Sequence, residues 1–175
     1  MTAVRVRAAA AADIASLSEV GWQSFEDAYR GTADDNDINE HLIAHFGERV
    51  IKTELAKPTT DYLLAEYENA CAGIIKLQRG AVPKQIDAGK VIEVQQLYVA
   101  SNRQRLGVGR KLMDAAAAYA GTLGVDGLWL SVWTHAEWAT RFYTDYGFVP
   151  KGEVTFTLGS SEFTDYLMWL RLKER

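Results

Sequence analysis

Several things are scarce in this chain, and each scarcity removes a class of protein. There is one cysteine, Cys71, so no disulfide can form within the chain. Cys71 sits among Ala70, Ala72 and Gly73 in a strand-like stretch, which suits a small core residue better than a nucleophile. No apolar run approaches the roughly 20 residues of a membrane helix, and no signal-peptide core follows the first charges, so a reducing cytoplasm is the expected compartment. Basic residues are in the minority: 19 Lys and Arg stand against 23 Asp and Glu, for a net charge of −4. Neither a nucleic acid nor a membrane surface is therefore expected as a partner. His41 and His45 share a helix face, but no third ligand has convincing spacing, so no metal is expected.

What is present is ample apolar material, 48% of 175 residues, enough for one folded unit spanning 1–175. Val4 and Val6 alternate with Arg5 and Arg7 as a short edge strand, and helical periodicity runs from Ala11 towards Tyr29. Along it Trp22, Phe25 and Tyr29 are either core or the lining of a groove. After the acidic loop Asp34 to Asp37, the stretch from Ile38 to Lys57 reads as one or two helices broken at Gly47. Tyr62 to Ala65 and Ala72 to Leu77 flank Glu68-Asn69 as a hairpin. Strand Val91 to Val99, a helix from Val108 closed by Gly121 and Gly124, strand Leu128 to Val132 and helix Ala136 to Tyr146 follow. Two last strands, Val149 to Leu158 and Phe163 to Leu172, complete the pattern. This order is that of an α+β domain.

The most informative stretch is Gln104-Arg105-Leu106-Gly107-Val108-Gly109, where a strand gives way to an alanine-rich helix. A glycine turn entering a helix presents unpaired main-chain N–H groups to an anion. The Lys-Ser/Thr pair of a nucleotide-triphosphate loop is missing, and Leu112 stands where a dinucleotide fingerprint needs its third glycine. Arg103, Arg105, Arg110 and Lys111 gather beside the turn; positive charge there opposes the helix dipole, which a bound polyanion would explain.

The remaining pattern, Gln-x-x-Gly-x-Gly, resembles the coenzyme A signature of the GNAT superfamily of N-acetyltransferases. Ile92 to Val99, Trp133 through Phe148, and Phe156 to Gly159 with Thr164-Asp165 and Met168 look in particular like the PaiA group of polyamine N-acetyltransferases. The resemblance covers nearly the whole chain. It implies a single-domain GNAT fold: a mixed, mostly antiparallel central sheet of about seven strands, flanked by helices, with two strands splayed at an acetyl-CoA site. It also implies transfer of the acetyl group of acetyl-CoA to an amine, with a small polyamine-like acceptor first. Peptide amines, or acyl-CoA sensing without catalysis, are the alternatives.

On that resemblance Leu97, Tyr98 and Val99 hold the pantetheine arm and the acetyl carbonyl. The main-chain amides of Arg105, Leu106, Gly107, Val108, Gly109 and Arg110 hold the pyrophosphate, with Gln104 at the motif's first position in the cofactor site, and Tyr143 lies near the cofactor sulfur. Glu93 matches a strand carboxylate of the PaiA group, while Gln95 stands where many relatives carry another. In a regular strand Glu93, Gln95, Leu97 and Val99 share one face, which makes Glu93 a base acting through water or a merely structural glutamate. Ala136 replaces a common asparagine. Trp22, Phe25 and Tyr29, with Asp34, Asp35, Asp37 and Glu40, suit a polycationic acceptor. Phe163, Tyr166 and Trp169 leave room for a homodimer through terminal strands.

Overall fold

The computed structural model describes residues 3–172. In chain order the elements are β1 (Arg5–Ala8), α1 (Ile14–Tyr29), α2 (Asp35–Phe46), α3 (Glu48–Leu55), β2 (Thr60–Tyr67), β3 (Ala70–Arg79) and β4 (Val91–Val99). Then come α4 (Val108–Thr122), β5 (Gly127–Trp133), α5 (Glu137–Tyr146), β6 (Val149–Leu158) and β7 (Ser161–Arg171). The seven strands form one sheet in the order β1-β2-β3-β4-β5-β7-β6. Only β4 and β5 are parallel, so the sheet is mixed and mostly antiparallel, as the family resemblance implies.

Local chemistry accounts for most boundaries. Glu68 and Asn69 have φ of 51° and 60°, the left-handed pair that a two-residue hairpin between β2 and β3 requires. Asp34 caps α2 by accepting the Asn36 N–H at 2.8 Å, and Pro150 lies on β6, an edge strand. Gly121 lies inside α4 rather than ending it; the left-handed residue after that helix is Gly124, at φ 63°. The last hairpin turns through Gly159 and Ser160 alone, because Leu158 already pairs with Ser161.

Helices cover both faces of the sheet. On one, Leu112, Met113, Ala116 and Ala120 of α4 pack on Ile75, Leu77, Ile92, Val94, Leu128 and Leu130. On the other, Leu17, Val20 and Ile51 pack on Tyr62, Leu64 and Ile74, and Phe25, Ile38, Leu42 and Phe46 surround Leu158. Phe163 and Trp169 are used inside the chain, Trp169 in a buried cluster with Val91 and Leu167. β7 is an interior strand, and the sheet's edges are β1 and β6.

The parallel seam between β4 and β5 begins at Val91 opposite Gly127. A Cβ on Gly127 would stand 2.1 Å from the Leu170 carbonyl oxygen and 2.5 Å from the Trp169 ring. Gly127→Ala is therefore expected to destabilise the fold by about 3 kcal/mol, since backbone has to move, and urea denaturation of the variant checks this.

Candidate active site

β4 and β5 pair at only three positions, Val91 with Gly127, Ile92 with Leu128 and Glu93 with Trp129. Beyond them β4 continues along β3 to Val99, and β5 continues along β7 to Trp133. The sheet therefore parts in its middle, and the flank of β4 that faces β5 has no strand partner past Glu93. Gln95 and Ser131 are exposed there although each lies on an interior strand, with buried Val94, Gln96, Leu130 and Val132 beside them. A main-chain edge of this kind needs hydrogen bonds from somewhere else.

β4 is not regular. Lys76 pairs with Gln96 and Leu77 with Val94, so Gln95 is the extra residue of a β-bulge. The bulge reverses the alternation: Ile92 and Val94 before it, and Leu97 and Val99 after it, all face α4. Glu93 thus does not share a face with Leu97 and Val99, which corrects the expectation drawn from a regular strand. It lies on the opposite face with Gln96 and Tyr98, and the Gln95 amide donates to its Oε2 at 3.4 Å. Burial pushes the Glu93 carboxyl above its ordinary value, while the Gln95 amide and the Lys76 ammonium oppose the shift. Lys76 itself is buried and ion-paired to Glu54 at 2.6 Å.

The start of α4 lies beside the end of β4, with Gly109 next to Val99. Arg105 and Gly107 adopt left-handed φ of 65° and 77°, and the first bond of the helix runs from the Lys111 N–H to the Gly107 carbonyl at 3.0 Å. The amides of Val108, Gly109 and Arg110 precede that bond, and Gly107 offers no side-chain cap. Such a turn gathers N–H groups into an anion-binding concavity. The two glycines have different reasons to be there. Gly107 is needed for its backbone angle, with open space where a Cβ would stand. A Cβ on Gly109 would make ordinary contact with Phe142 at 3.6 Å and Val99 at 3.7 Å, so its absence is not demanded by packing. Of the basic side chains, Arg103 is paired to Glu68 at 2.8 Å, and Arg110 lies over the Tyr146 ring at 4.8 Å.

Tyr143 is on α5, half-buried between Phe142 and Phe148, with ring centroids 5.2 and 5.7 Å away. Burial raises its pKa, and burial also raises that of Tyr98, to which the Tyr29 and Tyr143 phenols add. These three hydroxyls, from α1, β4 and α5, therefore share one low-dielectric region at the parting of the sheet.

On the face of Glu93 the predicted aromatics divide. Phe25 is 3% exposed and belongs to the core; Trp22 packs half-buried against the same cluster. Tyr29 stacks on Phe25 at 4.4 Å and stands at the centre of a wall formed by Trp133 at 5.9 Å, Phe156 at 5.9 Å and Phe163 at 5.5 Å. These three partners come from β5, β6 and β7, and helical spacing along α1 carries no trace of them. His41 stacks on Phe25 at 4.4 Å, and burial, then His45, pull its pKa down to about 4. Among the described residues no group of three or more ligating side chains could hold a metal. Asp165, read in the sequence only as part of a motif, is 5% exposed beside this wall, and its Oδ1 has no hydrogen-bond partner. The acidic loop is largely engaged: Asp34 caps α2, Asp35 pairs with Arg30 at 2.9 Å, and Asp37 accepts the Ser160 N–H and Oγ–H at 2.9 Å each.

Comparison with known proteins agrees with this geometry. Residues 19–148 match the model of the acetyltransferase (GNAT) family. An uncharacterized N-acetyltransferase from the pepI 3' region of Lactobacillus delbrueckii subsp. lactis is 25% identical over 169 residues, 96% of this chain and 97% of that protein. A second uncharacterized N-acetyltransferase, from Mycobacterium bovis, is 28% identical over 133 residues, 74% and 81% of the two chains. Among solved structures, the PaiA N-acetyltransferase from Thermoplasma acidophilum in complex with coenzyme A superposes with a TM-score of 0.77 at 19% identity, covering 97% of this chain and 99% of its own. The yncA protein from Salmonella typhimurium with its cofactor acetyl-CoA gives 0.69 at 17% identity, with 99% and 96% covered. A family match over most of its length establishes that the chain belongs to the acetyltransferase (GNAT) family.

Proposed function

We propose that this protein transfers the acetyl group of acetyl-CoA to a primary amine of a small polyamine-like molecule, by direct attack within a ternary complex. The observation that carries the reading is the parting of β4 from β5 beside the opening turn of α4. The unpaired flank of β4 from Leu97 to Val99 suits an extended amide-bearing arm, and the amides from Arg105 through Arg110, with Gln104 before them, suit a diphosphate. The coenzyme A and acetyl-CoA bound by the Thermoplasma and Salmonella proteins support this use of the cleft.

Direct transfer demands a neutral amine and a protonated leaving thiolate. An amine with pKa of about 10.4 is neutral in only about one molecule in 2,500 at pH 7, so a base lowers the barrier. Glu93 supplies it through water: its raised pKa brings it nearer the working pH of a base than an ordinary carboxylate, and exposed Gln95 leaves that water a way in. Tyr143 donates its hydroxyl proton towards the departing sulfur. Burial keeps this phenol protonated but makes it a weaker acid, and the same environment raises the thiolate's own affinity for a proton, so the two shifts oppose each other and the hydroxyl acts chiefly as a hydrogen-bond donor to the departing sulfur.

The acceptor is tested with purified protein, acetyl-CoA and spermidine, amino acids, aminoglycosides and peptides; turnover confined to peptides rejects the polyamine reading. Tyr143→Phe is expected to lower kcat by about 100-fold or more while calorimetry shows acetyl-CoA binding unchanged. Gly109→Ala is expected to melt like wild type yet bind coenzyme A about tenfold more weakly. Gly107→Ala should also bind coenzyme A more weakly, but in addition lose about 1 kcal/mol of stability.

A further inference from the structure

Burying a carboxylate without a partner disfavours the folded state, and native proteins rarely keep such a group without a reason. Asp165 lacks a charged partner among the described residues: it is 5% exposed, the Ser131 side chain is its hydrogen-bonding neighbour, and its Oδ1 accepts no hydrogen bond. On the sheet it stands opposite Trp133 of β5 and Val154 of β6. Strand alternation puts Phe163 on the same face, and Phe163 pairs with Phe156. Tyr29 packs against Trp133 at 5.9 Å and Phe163 at 5.5 Å, which closes an aromatic wall around the carboxylate. Ser131, two residues before Trp133 on β5, is exposed on this face where β4 and β5 part. The wall and its unpaired negative charge therefore adjoin the same opening that serves the thioester site.

We propose that Asp165 binds a second, non-reacting ammonium group of the acceptor, so that a diamine is held at one nitrogen while the other meets the thioester. Tyr29, Trp133 and Phe163 enclose the methylenes and add attraction to the cation through their ring faces. The assignment rests on the amine-acetylation reading above and narrows it to acceptors with two cationic nitrogens joined by hydrocarbon. In the loaded protein the buried carboxylate gains the charged partner that the chain alone does not give it.

Putrescine and n-butylamine have the same four-carbon skeleton and differ in one nitrogen, so their comparison isolates this contact. In wild type the KM for putrescine is expected to lie about 10- to 100-fold below that for n-butylamine, and Asp165→Asn should bring the two KM values together. The variant should also melt above the ligand-free wild type by about 2–4 °C near neutral pH. The sign follows from burial, which raises the folded-state pKa of Asp165 above its unfolded value, with Ser131 partly opposing. The folded state therefore holds the proton more tightly, and wild-type stability falls as pH rises from the ordinary carboxylate range through the raised value. Asparagine lacks that loss, so the difference between the melts should widen with pH across that window. A diamine advantage that survives in Asp165→Asn, equal use of the two amines by wild type, or a variant that melts lower or fails to fold overturns the assignment of Asp165. Calorimetric binding of acetyl-CoA with neither turnover nor binding of any amine overturns the acceptor reading along with it.

Discussion

Everything in this molecule depends on a sheet that is allowed to come apart in the middle without falling in two. The β3–β4 and β5–β7 ladders each run for seven pairs, whereas β4 and β5 share three. Each half-sheet is therefore held by its own antiparallel pairing. What joins them past the seam is α4, whose Leu112, Met113 and Ala116 share one apolar cluster with Ile75 and Leu77 of β3 and with Leu128 and Leu130 of β5. The helix that bridges the gap also starts at it. Its opening amides and the unpaired flank of β4 are then two sets of unsatisfied main-chain groups facing one slot, and a ligand with a diphosphate and an amide-bearing arm satisfies both.

Burial on either side of the slot sets the protonation of the groups placed there. Tyr143, Glu93 and Asp165 are all raised, and desolvation is the leading cause in each case. The consequences differ with the group. A phenol so placed stays a donor, a carboxylate beside an amide and an ammonium becomes a better-matched base, and a carboxylate with an unpartnered oxygen becomes a site that favours a cation. In the mechanism proposed here, one environment thus serves three roles, distinguished by what stands next to each side chain rather than by residue type.

How much of this could be read from the chain follows from which signals are local. The glycine turn before α4, the hairpin at Glu68-Asn69 and the order of elements depend on neighbours in sequence, and the structure has them where the sequence places them. The bulge at Gln95 leaves no such mark, because Gln95-Gln96 fits either face of a strand, and with the bulge unseen Glu93 is assigned to the wrong face. Tyr29 stands out in α1, but its partners Trp133, Phe156 and Phe163 lie more than a hundred residues away and meet it only once β7 is inserted between β5 and β6. Asp165 is inconspicuous for the same reason: its burial is a property of the closed sheet, and its spacing to Thr164 or Met168 says nothing of it.

The acidic loop shows the opposite error, in which a local signal invites a functional reading that tertiary structure absorbs. Asp34, Asp35 and Asp37 look like a lure for polycations, yet they cap α2, neutralise Arg30 and tether the β6–β7 turn through Ser160. Charges at such a surface are also screened over about 8 Å at physiological salt, which limits them to hastening encounter. Discrimination between acceptors has to come from inside, where a single carboxylate acts in a low dielectric and an unsuitable partner leaves it unpaired. On this fold that interior position is Asp165, enclosed by rings from three strands and a helix, and the stability it withholds from the empty protein is the energetic reserve with which it would recognise a cation.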